Sequence, residues 1–162
     1  MTASTNEFIG LVKNTFKFKL FLLYKLPAAF FSGVRVREIS EQHCVTSVPY
    51  KWLTQNPFRS TYFASLSMAA EMSTGVLGLA HIHKRSPAVS MLVVKVESAY
   101  FKKAVKRTWF TCEDGESIRT TIEKAIESGE SQQIAARSVG KNDGGEIVAE
   151  FIVTWSFKTR KA

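Results

Sequence analysis

The stretch FASLSMAAEMSTGVLGLAH, Phe63 to His81, decides the architecture. Its Ala, Leu, Met, Val, Ser, Thr and Gly residues lie on nearly every side of a helical projection, a composition that a solvent-facing helix would not carry, so a buried helix is predicted. Just upstream, Asn56-Pro57-Phe58-Arg59-Ser60-Thr61 breaks regular structure, because Pro restricts the residue before it and Ser or Thr can cap a helix. Downstream of Pro87, Val89 to Tyr100 is long and β-branched, and Ala104 to Cys112 follows Lys102-Lys103 as an expected hairpin partner. Gln132 to Val139, a turn at Asn142-Asp143-Gly144-Gly145 and a last strand complete the chain. That last strand alternates: Ile147, Ala149, Phe151, Val153, Trp155 and Phe157 share one face, and Val148, Glu150, Thr154 and Ser156 the other. Earlier, Val34 to Ile39 and Cys44 to Tyr50 read as two more strands. A long antiparallel sheet must hide its apolar face, and the helix from Phe63 is the element apolar enough to fill it. The expected class is α+β, with the sheet wrapped around that helix.

The flanks are less regular. Ser4 and Glu7 resemble a capping box, and Phe8, Val12, Phe16, Leu20 and Leu23 recur at helical spacing, so one helix is predicted to about Tyr24, ended by Pro27. Asp114 to Ser128 has good helix formers but few large apolar residues, so a surface helix or extended loop adding little to the core is expected. Residues 1–26 are then a helical extension and 27–162 the main domain, a single folding unit, as suits 162 residues. Apolar residues at 45% and charged residues at 22% exclude a disordered or collagen-like chain.

A net charge of +8 and a pI near 9.6 favour phosphate-bearing partners without choosing among nucleic acid, anionic membrane, nucleotide cofactor and acidic carrier protein. Cys44 and Cys112 lie in strands with no zinc-finger spacing, which suits a reducing compartment. Lys13, Lys17, Lys19 and Lys25 interrupt the Phe- and Leu-rich run from Phe8 to Phe31, leaving no uncharged stretch of the roughly 18 residues a span needs. The same scattered lysines do not fit a secretory signal, and a cytoplasmic location is expected.

Between Arg59 and Lys84 the one formally charged residue is Glu71. Burial without a partner raises a carboxyl pKa, as in tuned general acids and bases, although a Glu at the helix edge reaching solvent fits the pattern as well. The amides near Tyr62, Phe63 and Ala64 lack intrahelical partners and carry the positive end of the helix dipole, so they suit an oxyanion, or are simply capped. Asn56 could orient a water or carbonyl, or only form a turn. His81 and His83 have no neighbouring thiol or carboxylate to complete a metal set, and no metal is expected. Lys102, Lys103, Lys106 and Arg107, interleaved with Tyr100, Phe101 and Trp109, could hold a nucleotide's phosphates and base, or form a solvated turn. Single-stranded nucleic acid would need only the same charge and aromatics and is not the expected partner.

The run Asn56 to Leu66, followed by Ala69-Ala70-Glu71, resembles the helix-opening motif of hot-dog thioesterases. Phe31-Ser32-Gly33-Val34-Arg35-Val36-Arg37-Glu38-Ile39-Ser40 is similar to the opening of an uncharacterised bacterial branch of that superfamily. The resemblance covers about Pro27 to Trp155 and implies a hot-dog fold with an extra N-terminal helix. It implies hydrolysis of acyl-CoA or acyl-carrier thioesters, with acyl-CoA as substrate and no bound cofactor. Glu71 would then be the general base or nucleophile, the amide of Phe63 or Ala64 the oxyanion donor, and Asn56 a positioning group. The relatives usually carry glycines where Ser60, Ala64 and Ser65 stand, and many carry a preceding His; Gly permits a close backbone approach that even Ala can hinder. A non-catalytic acyl- or lipid-binding protein is therefore the alternative, its N-terminal helix covering a tunnel or touching a membrane, the latter not favoured. Relatives pair two protomers into a continuous sheet with active sites at the interface, so a homodimer or tetramer is implied.

Overall fold

The computed structural model describes residues 3–160. Three helices open the chain: α1 (Ala3–Lys13), α2 (Thr15–Lys25) and the short α3 (Pro27–Ser32). The single helix expected to Tyr24 is thus broken at Asn14, whose side chain accepts a 3.1 Å bond from the Lys17 amide and starts a new helix. Pro27 does not close a helix but opens one, at a first-turn position where its missing N–H costs nothing. Two strands follow, β1 (Arg35–Ile39) and β2 (Cys44–Val48), then a turn of 3-10 helix at Trp52–Thr54.

The decisive stretch forms α4 (Phe63–Ile82), one residue longer than read from sequence. By length and composition it could cross a membrane, but most of it is buried by the chain's own sheet. The remaining elements are β3 (Val89–Tyr100), β4 (Thr108–Cys112), α5 (Gly115–Ser128), β5 (Gln132–Lys141) and β6 (Ile147–Thr159). All six strands form one antiparallel sheet in the order β1-β2-β4-β5-β6-β3.

The sheet grips α4 with polar bonds as well as apolar contacts. Thr46 of β2 donates to the Ala69 carbonyl (2.7 Å), Ser138 of β5 meets the Ser73 hydroxyl (2.7 Å), and the Trp155 indole of β6 donates to Thr74 Oγ1 (2.9 Å). These bonds explain why a helix buried on most sides tolerates Ser and Thr: among the described residues no buried side-chain polar atom lacks a partner. Leu77, Phe110, Phe151, Val153 and Phe157, all fully or nearly fully buried, fill the space around it.

Three expectations need correction. β3 and β4 are not hairpin partners: β3 pairs along its length with β6, while β4 inserts between β2 and β5. The seven residues between the strands carry the chain across the sheet, and adjacency in sequence cannot distinguish such a crossing from a hairpin. The helix after Asp114 is not marginal to the core, since Ile118, Ile122 and Ala125 are fully buried on one stripe of α5. In β6 the alternation holds from Ala149 to Phe157; at its start Ile147 is exposed and Val148 buried, the reverse of the expected facing.

Residues 3–26 share the core, because Phe8, Ile9, Val12, Phe18 and Leu22 are buried in the same apolar cluster as the sheet and α4. The architecture is the hot-dog arrangement of a long sheet around a helix.

Candidate active site

α4 begins without a side-chain cap. Tyr62 occupies the N-cap position in an extended conformation, and neither Ser60 nor Thr61 caps the helix as expected. Their hydroxyls serve the loop instead: Ser60 Oγ donates to Asn56 Oδ1 (3.2 Å) and Thr61 Oγ1 to the Ala104 carbonyl (2.9 Å). The amides of Ser65 and Leu66 bond back to the Tyr62 carbonyl, which leaves those of Phe63 and Ala64 without an acceptor among the described residues. Two backbone donors at the positive end of a twenty-residue helix therefore face outward, uncommitted.

Beside them is a cavity of about 540 Å³. Tyr62, Phe63 and Leu66 form one wall, Asn56 and Phe58 another. Tyr100, Phe101, Lys102 and Lys103 close the far side from the end of β3. The structure thus brings Asn56, Phe63, Lys102 and Lys103 to one place. The Asn56 side chain works as a turn former, its Oδ1 accepting from the Phe58 and Ser60 amides at 3.0 and 3.2 Å. It holds the loop in which Arg59 adopts a left-handed φ of 58°.

Glu71 lies two turns along α4 with its side chain largely buried, and burial holds its carboxyl above the ordinary Glu range. No hydrogen bond or ion pair engages that carboxylate among the described residues. Gly75, one turn further on, leaves it room: a Cβ there would stand 3.1 Å from Glu71 Oε1 and 3.1 Å from Trp155 Cζ2. Periodicity could not single out Gly75, whose role depends on what packs opposite. Eight residues separate Phe63 from Glu71, which at a rise of 1.5 Å per residue puts about 12 Å between them along the helix axis. One carbonyl group cannot touch both within a single chain.

The four basic residues do not form one patch. Lys102 is ion-paired with Glu146, and Lys106 with Asp143 at 3.2 Å. Lys103 Nζ reaches the Phe58 carbonyl at 3.4 Å, on the rim of the α4 cavity. Arg107 turns to Ser47 Oγ (3.4 Å), which also accepts from Arg37 Nε (2.8 Å). Sequence reading missed this meeting of Arg37 and Arg107, because seventy residues separate them and only the β1–β2 and β2–β4 pairings together join them.

His81 is buried with Nε2 3.1 Å from the Glu41 carbonyl, and burial pushes its pKa down. His83 packs on Phe8 at 5.2 Å between ring centroids. No three His, Cys, Asp or Glu residues gather as a metal site among the described residues.

Fold and helix terminus together place the chain in the hot-dog class, and comparison with known proteins agrees. It belongs to the family described as Domain of unknown function (DUF4442), whose model matches residues 16–156. A Pseudomonas aeruginosa protein of unknown function, described as a probable thioesterase, superposes with a TM-score of 0.76 at 20% identity, covering 99% of each chain. A Chlorobaculum tepidum protein of unknown function gives 0.76 at 17% identity over 90% of this chain and 94% of its own. A Haemophilus influenzae thioesterase gives 0.65 at 11% identity over 90% and 91%. At these identities the likeness establishes the fold. No curated protein matches the sequence significantly.

Proposed function

We propose that this protein hydrolyses acyl thioesters, with an acyl-CoA or acyl-carrier substrate bound across a homodimer. The observation that carries the reading is the pairing of two uncommitted amides at Phe63 and Ala64 with a half-buried carboxylate, unpaired among the described residues, eight residues beyond Phe63 on the same helix. Too far apart to cooperate within one chain, they can meet when α4 of a second copy lies antiparallel beside the first, Glu71 of one facing the amides of the other.

Glu71 accepts a proton from water as its oxygen attacks the thioester carbonyl. The negative charge that develops on the carbonyl oxygen is held by the Phe63 and Ala64 amides, and one such donor can be worth about 3 kcal/mol of barrier. Collapse of the tetrahedral intermediate breaks the C–S bond, and the departing thiolate takes the proton back from the Glu71 carboxyl. Lys103, on the cavity rim and without an ion pair among the described residues, suits the phosphates of a CoA or phosphopantetheine arm. Apolar Phe58, Leu66 and Phe101 in the same cavity suit the chain beyond them.

The test is hydrolysis of a panel of acyl-CoAs by the wild type and by Glu71→Gln. Loss of a general base is expected to lower kcat by about 10²- to 10⁴-fold. A wild type that hydrolyses none of the panel, yet retains acyl-CoA in equilibrium dialysis, would establish the non-catalytic alternative. That alternative has one observation in its favour, the Ala64 side chain at a position where thioesterase relatives usually have none.

A further inference from the structure

A second cavity, about 370 Å³, lies between the N-terminal helices and β1, away from the α4 terminus. Lys13, Lys19, Arg35 and Arg37 line it, with Glu38 as the one acidic residue on its walls. Glu38 stands 3.9 Å from His43 and makes no closer pair. No Asp or Glu occurs anywhere from Phe8 to Arg37, and four cations border this space with Glu38 as the one carboxylate among its lining residues. Burial pushes the pKa of both Arg35 and Arg37 down, with a smaller push from Arg37 on the first and from Arg107, outside the cavity, on the second. The floor is apolar, from Val12, Phe18, Val36 and Ile39.

α2 supplies the second observation. At about 100° per residue, Phe18 and Leu22 share the buried side, while Phe16, Leu20, Leu23 and Tyr24 form a stripe on the opposite side. These four are not packed: Phe16 and Tyr24 are each 77% exposed. Lys19 borders the stripe on the cavity side and Lys17 on the other, and among the described residues neither forms a salt bridge. A helix apolar on both faces, with its outer face flanked by lysines, matches the chemistry of a bilayer interface. Phe31, Trp52 and Leu53 extend the exposed apolar surface nearby, held together by a 2.8 Å bond from Lys51 Nζ to the Phe31 carbonyl. Overall charge does not choose a membrane over other phosphate-bearing partners, but the placement of these side chains does.

We propose that α2 and the cationic cavity beside it form a docking surface for an anionic phospholipid bilayer. Phe16, Leu20, Leu23 and Tyr24 enter the headgroup–acyl boundary, and Lys13, Lys19, Arg35 and Arg37 receive a lipid phosphate. Charge complementarity selects this occupant: a second copy of the chain would bring six cations and no acid, from Lys13 to Arg37, against the same set.

The test is co-sedimentation of the full-length protein with phosphatidylcholine vesicles with and without phosphatidylglycerol, at low and high salt. Binding is expected only to the anionic vesicles and is expected to weaken with salt. Each lysine near such a surface contributes about fivefold in affinity, so Lys13→Gln with Lys19→Gln should lower binding about 25-fold. Phe16→Ser with Leu20→Ser should lower it independently of salt. All four positions are exposed, and unchanged circular dichroism and light scattering will show that fold and assembly survive. Three outcomes would overturn the proposal: no association of the wild type with anionic vesicles, association untouched by either double variant, or binding of soluble glycerol 3-phosphate without vesicle association.

Discussion

Glu71 has no hydrogen-bonding or ionic partner among the described residues to stabilise its charged form, and burial raises its pKa. Below the pKa of the unfolded chain the group is protonated in both states and costs nothing. As pH rises through the higher folded value, folding must oppose ionisation, and stability is lost. Glu71→Gln, which removes the ionisation, is expected to match the wild type in urea unfolding near pH 4 and to exceed it near pH 8. Equal stability at both pH values would show that the carboxylate is solvated. The two thiols behave differently from a catalytic nucleophile: burial pushes Cys112 up to about 12 and Cys44 higher still, so both stay protonated.

At the scale of elements, α5 shows how a polar sequence can carry core residues. Ile118, Ile122 and Ala125 recur at four- and three-residue intervals and face α4 and the sheet, while Glu116, Arg119 and Glu123 pair on the outer side. Ile122→Ala is expected to cost about 2–5 kcal/mol, as for a deeply buried Ile. The helix start is constrained by backbone: a Cβ at Gly115 would lie 2.1 Å from the Glu41 carbonyl oxygen. Because that obstacle is main chain rather than a flexible side chain, Gly115→Ala is expected to cost at least the roughly 1–3 kcal/mol of an overpacked site. Urea unfolding of the two variants tests both figures; a helix lying loosely on the surface would give changes below about 0.5 kcal/mol.

For the whole molecule the edge of the sheet at β3 bears on assembly. β3 bonds to β6 on one side only, and Leu92 (66% exposed), Val94 and Val96 are exposed along it. A long apolar edge is a template for pairing with another strand, which supports assembly through β3 and, with it, a shared active site. The protein is expected to be at least a dimer at micromolar concentration by light scattering. Leu92→Arg with Val96→Arg should give a monomer that retains its circular dichroism and loses thioester hydrolysis although Glu71 is intact. A monomeric wild type, or an active monomeric variant, would defeat the shared site.

The buried helix, the six strands and the single carboxylate between Arg59 and Lys84 were legible because each is a local property: apolar residues on nearly all sides of a helix, period-two alternation, an isolated charge. The crossing from β3 to β4 was not, since it depends on what lies opposite in space; the Asn14 cap and the apolar stripe of α5 are local, but one Asn in a helical run and three apolar residues in a polar one are weak signals. The same holds for the site. Composition singles out Glu71 and the start of α4, but that Lys102 and Lys106 are neutralised by acids some forty residues away, or that Arg37 and Arg107 share one hydroxyl, follows only from the order of the strands. Periodicity and charge are written residue by residue along the chain, whereas partners are set by sheet pairing, which joins residues that sequence separation keeps apart.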